Sequence, residues 1–109
     1  EEPFVVNSRR CLAYHTIENR AETLPPEIEA ALGPWVAGCD ICQDVCPWNQ
    51  GPLPSSEDPD LQPREWMLNL SREHALRWDD ATWKENLQGS ALRRIKPWMW
   101  RRNADAAEP

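Results

Sequence analysis

The stretch GCDICQDVCPWN, residues 38–49, sets Cys39, Cys42 and Cys46 close together and follows the last of them with Pro47. Two thiolates three residues apart reach a single metal centre from one tight turn, with backbone N–H groups facing the sulfurs. Cys46 lies four residues beyond Cys42. Pro47 beside it fixes φ and removes a donor, which turns the chain sharply and can aim the last sulfur at a different centre from its neighbours. A fourth cysteine, Cys11, stands by itself well upstream.

Composition narrows what such thiols do. At 109 residues the chain builds one domain with a modest core. Its 12 Lys and Arg against 18 Asp and Glu give a net charge of -6, so the chain as a whole is no nucleic-acid-binding surface and any such contact has to be local. No apolar run of about 18 residues occurs, and the opening EEPFVVNSRR lacks the basic and apolar regions of a secretory leader. The expectation is a soluble, cytoplasmic protein without membrane contact, where reducing conditions favour cysteines as metal or cluster ligands over two disulfides. Glu1 in first position and the extended opening read as a fragment of a longer chain.

Patterning divides the chain into three zones. Residues 1–50 hold all four cysteines, the break at Leu24-Pro25-Pro26, and a predicted short helix from Pro26 to Leu32 with Glu27 and Glu29 near its N-terminus. Residues 51–64, GPLPSSEDPDLQPR, are dense in Pro, Ser and Asp and predict an extended strap. Residues 65–109 predict helices: Trp66, Leu68 and Leu70 fall near one turn, and Trp83, Leu87 and Leu92 recur at helical spacings. Asp79 or Asp80 is the predicted N-cap of the helix through Trp83, Gly89-Ser90 the break before a helix from Ala91, and Pro97 the residue that stops or kinks that helix. Period-two alternation is scarce. The fold class is therefore mostly α, with irregular cysteine loops followed by a short helical segment.

The cadence of Cys39, Cys42 and Cys46-Pro47 is that of two-cluster ferredoxins, in which C-x2-C-x2-C-x3-C-P gives three ligands to one 4Fe-4S cluster and the last to another. Here Val36 occupies the place of the first cysteine, and Cys11 is the candidate replacement. The same four cysteines also match a closed tetrahedral zinc site, of which C-x2-C is a common half. The isolation of Cys11 and the Cys46-Pro47 pair favour iron–sulfur.

CLAYHTIE at 11–18, GPWVAGCDICQDVCPWN at 33–49 and GSALRRIKPWMWRRNADAA at 89–107 together resemble, in order and across nearly the whole chain, the C-terminal part of the epoxyqueuosine reductase family. The chain departs from the family pattern at Ala13, His15 and Trp100-Arg101. The resemblance implies a cytoplasmic, cobalamin-dependent iron–sulfur oxidoreductase that converts epoxyqueuosine to queuosine at the wobble position of tRNA, monomeric and served by an external electron donor. It implies the second half of a ferredoxin-like domain at 1–50 and a HEAT-like helical segment at 65–109, with the corrinoid-binding domain outside this chain. It further implies that Cys11, Cys39 and Cys42 join a cysteine from outside the chain on one cluster, while Cys46 completes the other. The arrangement with all four on one cluster stays open. The fragment alone is expected to have no reductase activity and no catalytic residue of its own.

Other residues carry smaller expectations. Asp40 and Gln43 are expected to bond to the backbone of the cysteine loop, and Trp48 to be a core tryptophan. His15 and Glu18 lack a second catalytic group and carry no expected acid–base role. Arg93, Arg94, Lys96, Arg101 and Arg102, interleaved with Trp98 and Trp100, form a local basic patch suited to tRNA phosphates; the alternative is a solvated face paired with the chain's acids. Two further readings stand beside the reductase. One is another cobalamin and iron–sulfur enzyme of the reductive dehalogenase type, against which CLAYHTIE and Arg102-Asn103-Ala104 argue. The other is a zinc-stabilised binding module.

Overall fold

The computed structural model describes residues 2–108. About half of them are helical, in short pieces joined by turns, and no strand occurs among the described residues. The helices are α1 (Leu12–Ile17), α2 (Pro26–Glu29), α3 (Ile41–Asp44), α4 (Glu65–Leu68), α5 (Arg72–Arg77), α6 (Asp80–Asn86) and α7 (Pro97–Ala106). Turns of 3-10 helix lie at Ser8–Arg10, Pro47–Asn49, Pro59–Leu61 and Ala91–Arg94. Among the described residues no helix is long and apolar enough to cross a membrane.

Helix starts follow local chemistry. Pro26 opens α2 with Glu27 and Glu29 in its first turn, as the sequence predicts, though the α-helix ends at Glu29 and single turns carry the chain on to Leu32. Asp79 caps α6, its Oδ1 accepting the Thr82 N–H at 2.8 Å. That hydrogen bond is the main reason the Asp79 carboxyl sits below its ordinary pKa. Gly89, at a φ of 69°, makes the predicted break, and Ser90 Oγ then accepts the Leu92 N–H at 3.2 Å.

Pro97 behaves differently from the expectation. The segment from Ala91 is only a 3-10 turn, and Pro97 opens α7 instead of ending a helix. The physical reason is that the first helical position needs no N–H partner and suits the fixed φ of proline.

Helix α7 lies at the centre. It packs on α5 and on α1, so the end of the third zone meets the first. Ala75 of α5 and Ala104 of α7 are both fully buried, and small side chains let helices approach closely. Around them Trp78, Leu87, Ile95, Met99 and Trp100 form the main core, with Trp66, Leu70, Trp83 and Leu92 against its edge. Trp78 stands between Trp66 and Trp100, with ring centroids 5.3 and 4.8 Å away. Leu68, expected on the same face as Trp66 and Leu70, is exposed. A smaller cluster of Leu24, Leu32 and Ala107 takes in Leu12, Trp35 and Val36.

The strap at 51–64 is exposed along its length. Its far end is tied by Arg64, whose Nη1 donates to the carbonyls of Asn86 and Gln88 at 2.9 and 2.8 Å. The radius of gyration, 15.2 Å, exceeds the value of about 13 Å for a compact chain of this length, consistent with a strap lying off the core.

The centrality of the α5–α7 core gives a first expectation. Replacing the fully buried Leu87 by alanine should cost about 2–5 kcal/mol in denaturant unfolding; a loss below about 0.5 kcal/mol would show that this side chain is not in a packed core.

Candidate metal centre

The cysteine loop is built on the short helix α3. Cys39 precedes it, Cys42 lies on it, and Cys46 follows it at the entrance of the turn Pro47–Asn49. The carbonyl of Asp40 accepts the N–H groups of Gln43 and Asp44 at 2.8 and 2.9 Å, which closes the turn carrying the first two thiols. The far side is fastened by Asn49, whose Nδ2 donates to the carbonyl and to the Oε1 of Gln43, both at 3.0 Å. Gln43 thus braces the loop through the Asn49 side chain, in place of the expected bond to the loop's backbone. Asp40 braces it through its main chain, with no capping bond from its carboxylate.

Cys11 enters from the other segment. It is the N-cap of α1, behind the turn Ser8–Arg10. One helical turn on, Thr16 is buried, and its Oγ1 donates to the Leu12 carbonyl at 3.0 Å while accepting the Gly38 N–H at 3.0 Å. Gly38 immediately precedes Cys39 and holds a φ of 75°, a conformation that favours glycine. The helix that begins at Cys11 is therefore hydrogen-bonded to the residue that leads into Cys39.

A second tie comes from α7. Asn103, fully buried, donates its two amide protons to the carbonyls of Thr16 and Val36, each at 2.8 Å. Its Oδ1 accepts from Nε and Nη2 of Arg102 at 3.0 and 2.8 Å. Carbonyls on one side and guanidinium N–H groups on the other admit only one orientation of this amide. Arg102 also donates to the carbonyls of His15, Asn19 and Ala21. Partial burial, and then the nearby charge of Arg20, draw the Arg102 pKa down from its ordinary value. Sequence reasoning missed Asn103 as a functional residue, although it lies in the Arg102-Asn103-Ala104 segment that carried the resemblance.

His15 is buried with its ring satisfied, Nε2 lying 2.9 Å from the Arg9 carbonyl and Nδ1 3.0 Å from the Asn19 amide. It is a structural histidine. Glu18 pairs with Arg94 across the surface.

The thiols are all free, with Cys42 exposed and the other three half-buried. Among the described residues no three His, Cys, Asp or Glu side chains come close enough to hold one metal ion. A tetrahedral zinc ion needs four donors about 2.3 Å from one point, and the arrangement does not supply them. A 4Fe-4S cluster takes its thiolates at separate iron corners, so its ligands need not converge on a point. Soft thiolates on two tied segments, with Cys46 at the start of a separate turn, fit that demand in part. Two cavities among the described residues, of about 190 and 200 Å³, are smaller than the ~300 Å³ at which pockets for drug-sized ligands begin.

Trp48 overturns its core expectation. It is 91% exposed, because the turn opened by Pro47 carries it outward. Ile41 and Val45, from the same loop, are exposed with it, so the cysteines are flanked by an apolar rim.

The five basic residues divide. Arg93, Arg94 and Lys96 are exposed, and the charged ends of Arg93 and Lys96 both lie over the Trp83 ring, 5.2 and 5.6 Å from its centroid. Arg101 donates to the Trp78 carbonyl at 3.0 Å, and Arg102 is committed to the carbonyls and amide described above.

Comparison with known proteins bears on these features. The family described as "4Fe-4S double cluster binding domain" matches residues 1–49. The chain is 70% identical over 108 residues to the epoxyqueuosine reductase of Synechococcus sp. (strain CC9605), covering 99% of this chain and 34% of that protein. It is 64% identical to that of Prochlorococcus marinus (strain NATL2A), over 97% of this chain and 34% of the relative. With the enzyme of Vibrio cholerae it shares 42% identity over 91% of this chain and 26% of the relative. The chain thus spans about a third of the length of the curated relatives it matches. No solved structure matches it.

Because no three donors converge, zinc added to the metal-free chain should form no 1:1 complex of nanomolar affinity in competition with a chromophoric chelator. Structural zinc sites release about 10–16 kcal/mol, so a nanomolar complex would show that the four thiols close on one ion.

Proposed function

We propose that the chain is the cluster-holding, electron-passing segment of a tRNA epoxyqueuosine reductase, a reading supported by its 70% and 64% identity, over nearly all of this chain, to two epoxyqueuosine reductases. What supports the reading is that Cys11 and Cys39 lie on two hydrogen-bonded segments, and that Cys46 is followed by Pro47, which opens a separate 3-10 turn. In this reading Cys11, Cys39 and Cys42 hold one 4Fe-4S cluster together with a cysteine from the rest of the protein, and Cys46 ligates a second.

Bound there, such clusters supply single-electron transfer. What this chain's own residues do is position and shield. Thr16, Gly38 and Asn103 fix the two ligand segments relative to each other. Ile41, Val45 and Trp48 offer apolar surface that the rest of the double-cluster domain covers, which lowers solvent access to the thiolates and so bears on reduction potential. The cysteine loop thus corresponds to the second half of a ferredoxin-like domain, and the helices after the strap to the start of a HEAT-like array. The reduction itself, which takes two electrons and two protons to turn the epoxide into an alkene and water, lies outside this chain. So does the cobalamin that the family resemblance implies.

For the tRNA partner, the reading relies on Arg93, Arg94 and Lys96. The ion pair of Arg94 with Glu18 is a surface contact, worth about 0–1 kcal/mol, and it yields to a phosphate at little cost. Arg101 and Arg102, engaged with carbonyls inside the chain, support the surface from beneath. The protein works in the cytoplasm as a monomer and takes its electrons from an external donor.

A turnover assay on epoxyqueuosine-containing tRNA, run across a salt series with the full-length protein that carries this segment, tests the reading. Cys39→Ala should abolish turnover while leaving tRNA binding intact. The double variant Arg93→Glu/Arg94→Glu should weaken tRNA binding and lower the slope of log K against log salt by about 1–2. Normal turnover with Cys39→Ala would refute the electron-passing role, and an unchanged salt slope would refute the RNA face.

A further inference from the structure

We propose that Asn103 is a positioning residue for the ligands of the cluster assigned to Cys11, Cys39 and Cys42, acting through Thr16 and Val36. The proposal rests on that ligand assignment and extends it to a residue on a different helix.

The argument starts from the saturation of one carboxamide. Both Nδ2 protons of Asn103 are used, on the Thr16 and Val36 carbonyls at 2.8 Å, and its Oδ1 receives two guanidinium N–H groups of Arg102. Thr16 belongs to α1, whose N-cap is Cys11. Val36 lies three residues before Cys39. One side chain therefore bonds to both ligand-bearing segments, and the Thr16 hydroxyl with the Gly38 N–H adds a direct link between them at 3.0 Å. Leu12, Ile17, Val36 and Ala37 pack these segments against the two cores, and the Asn103 amide adds directional bonds to both.

Asparagine is required by this geometry. Aspartate has no protons to donate to two carbonyls, and it would place a carboxylate against them. Alanine leaves both carbonyls and two Arg102 N–H groups unpartnered in a buried site, a costly outcome for polar groups. A hydrophobic residue of similar size would fill the space without fixing the distance between the segments. Hydrogen-bonded partners beyond the ligands orient metal sites, and their loss commonly weakens metal retention by about 10–100-fold.

The test uses the full-length protein, reconstituted anaerobically with iron and sulfide. EPR spectra of the reduced clusters are recorded, resistance to an iron chelator is timed, and thermal unfolding is followed in parallel. Cys11→Ala identifies which signal belongs to the cluster in question. Asn103→Ala should alter that signal and shorten the cluster's survival in chelator by about 10–100-fold, leaving the signal of the other cluster unchanged. Thr16→Val, which keeps the shape and removes the acceptor of the Gly38 N–H, should move the same signal by a smaller amount and covers the case in which Asn103→Ala does not fold. Leu87→Ala, a core change remote from the cysteines in sequence and on another helix, should lower thermal stability and leave both signals as they are. If Thr16→Val, and Asn103→Ala where it folds, lower only the unfolding temperature, with parental EPR and chelator survival, the positioning role is overturned and Asn103 is structural. If Cys11→Ala itself leaves both signals in place, the ligand assignment has failed, and the proposal fails with it by a separate and visible route.

Discussion

A chain assembled from helices of four to ten residues is left with helix-end carbonyls that no intrahelical N–H can reach. Burying such a carbonyl without a donor costs about 1–3 kcal/mol, and side-chain donors reach carbonyls both inside this molecule and on its surface. Arg102 serves the carbonyls of His15, Asn19 and Ala21, and Arg101 that of Trp78. Arg72 reaches the Ala104 and Ala107 carbonyls at the end of α7. Arg64 does the same beyond α6, and Arg20 for Arg94. Asn103 completes the set at Thr16 and Val36. Guanidinium and amide donors stand where a larger protein would use a sheet or longer helices.

That economy links the fold to the site. The segments carrying Cys11 and Cys39 pack Leu12, Ile17, Val36 and Ala37 against the two cores, and polar contacts from the last helix of the chain join them. Ligands placed in advance of a metal need not be ordered when it binds. Placing them through a buried, fully satisfied polar network gives directional control that nondirectional hydrophobic contacts lack. Ile41, Val45 and Trp48 of the same loop are exposed, so the cysteine loop is tied to this chain through Gly38 and Val36 and keeps apolar surface facing outward.

The local parts of this arrangement were legible in the sequence. The Asp79 cap, the Pro26 start and the Gly89-Ser90 break each depend on residues within a few positions of one another, and each appears as expected. Pro97 was misread because proline marks both a helix start and a helix stop, and only the chain before it decides which. Trp48 was misread because an aromatic residue is buried only if something is there to bury it. The long-range ties escaped entirely. Asn103 and Thr16 are 87 residues apart, and nothing in the local pattern around an Arg-Arg-Asn run says that its donors point at carbonyls of the first zone and not at phosphates. The sequence resemblance singled out the segment without giving the reason for it.

The division of the thiols is the claim on which the functional account stands, and an anaerobic crystal structure of the iron-loaded, full-length protein, with data collected at the iron absorption edge, measures it directly. The account predicts two separate iron clusters, with Cys11, Cys39 and Cys42 on one and Cys46 on the other. A single cluster bound by all four cysteines of this chain, or a loop whose Cys46 shares a cluster with Cys39 and Cys42, would contradict it.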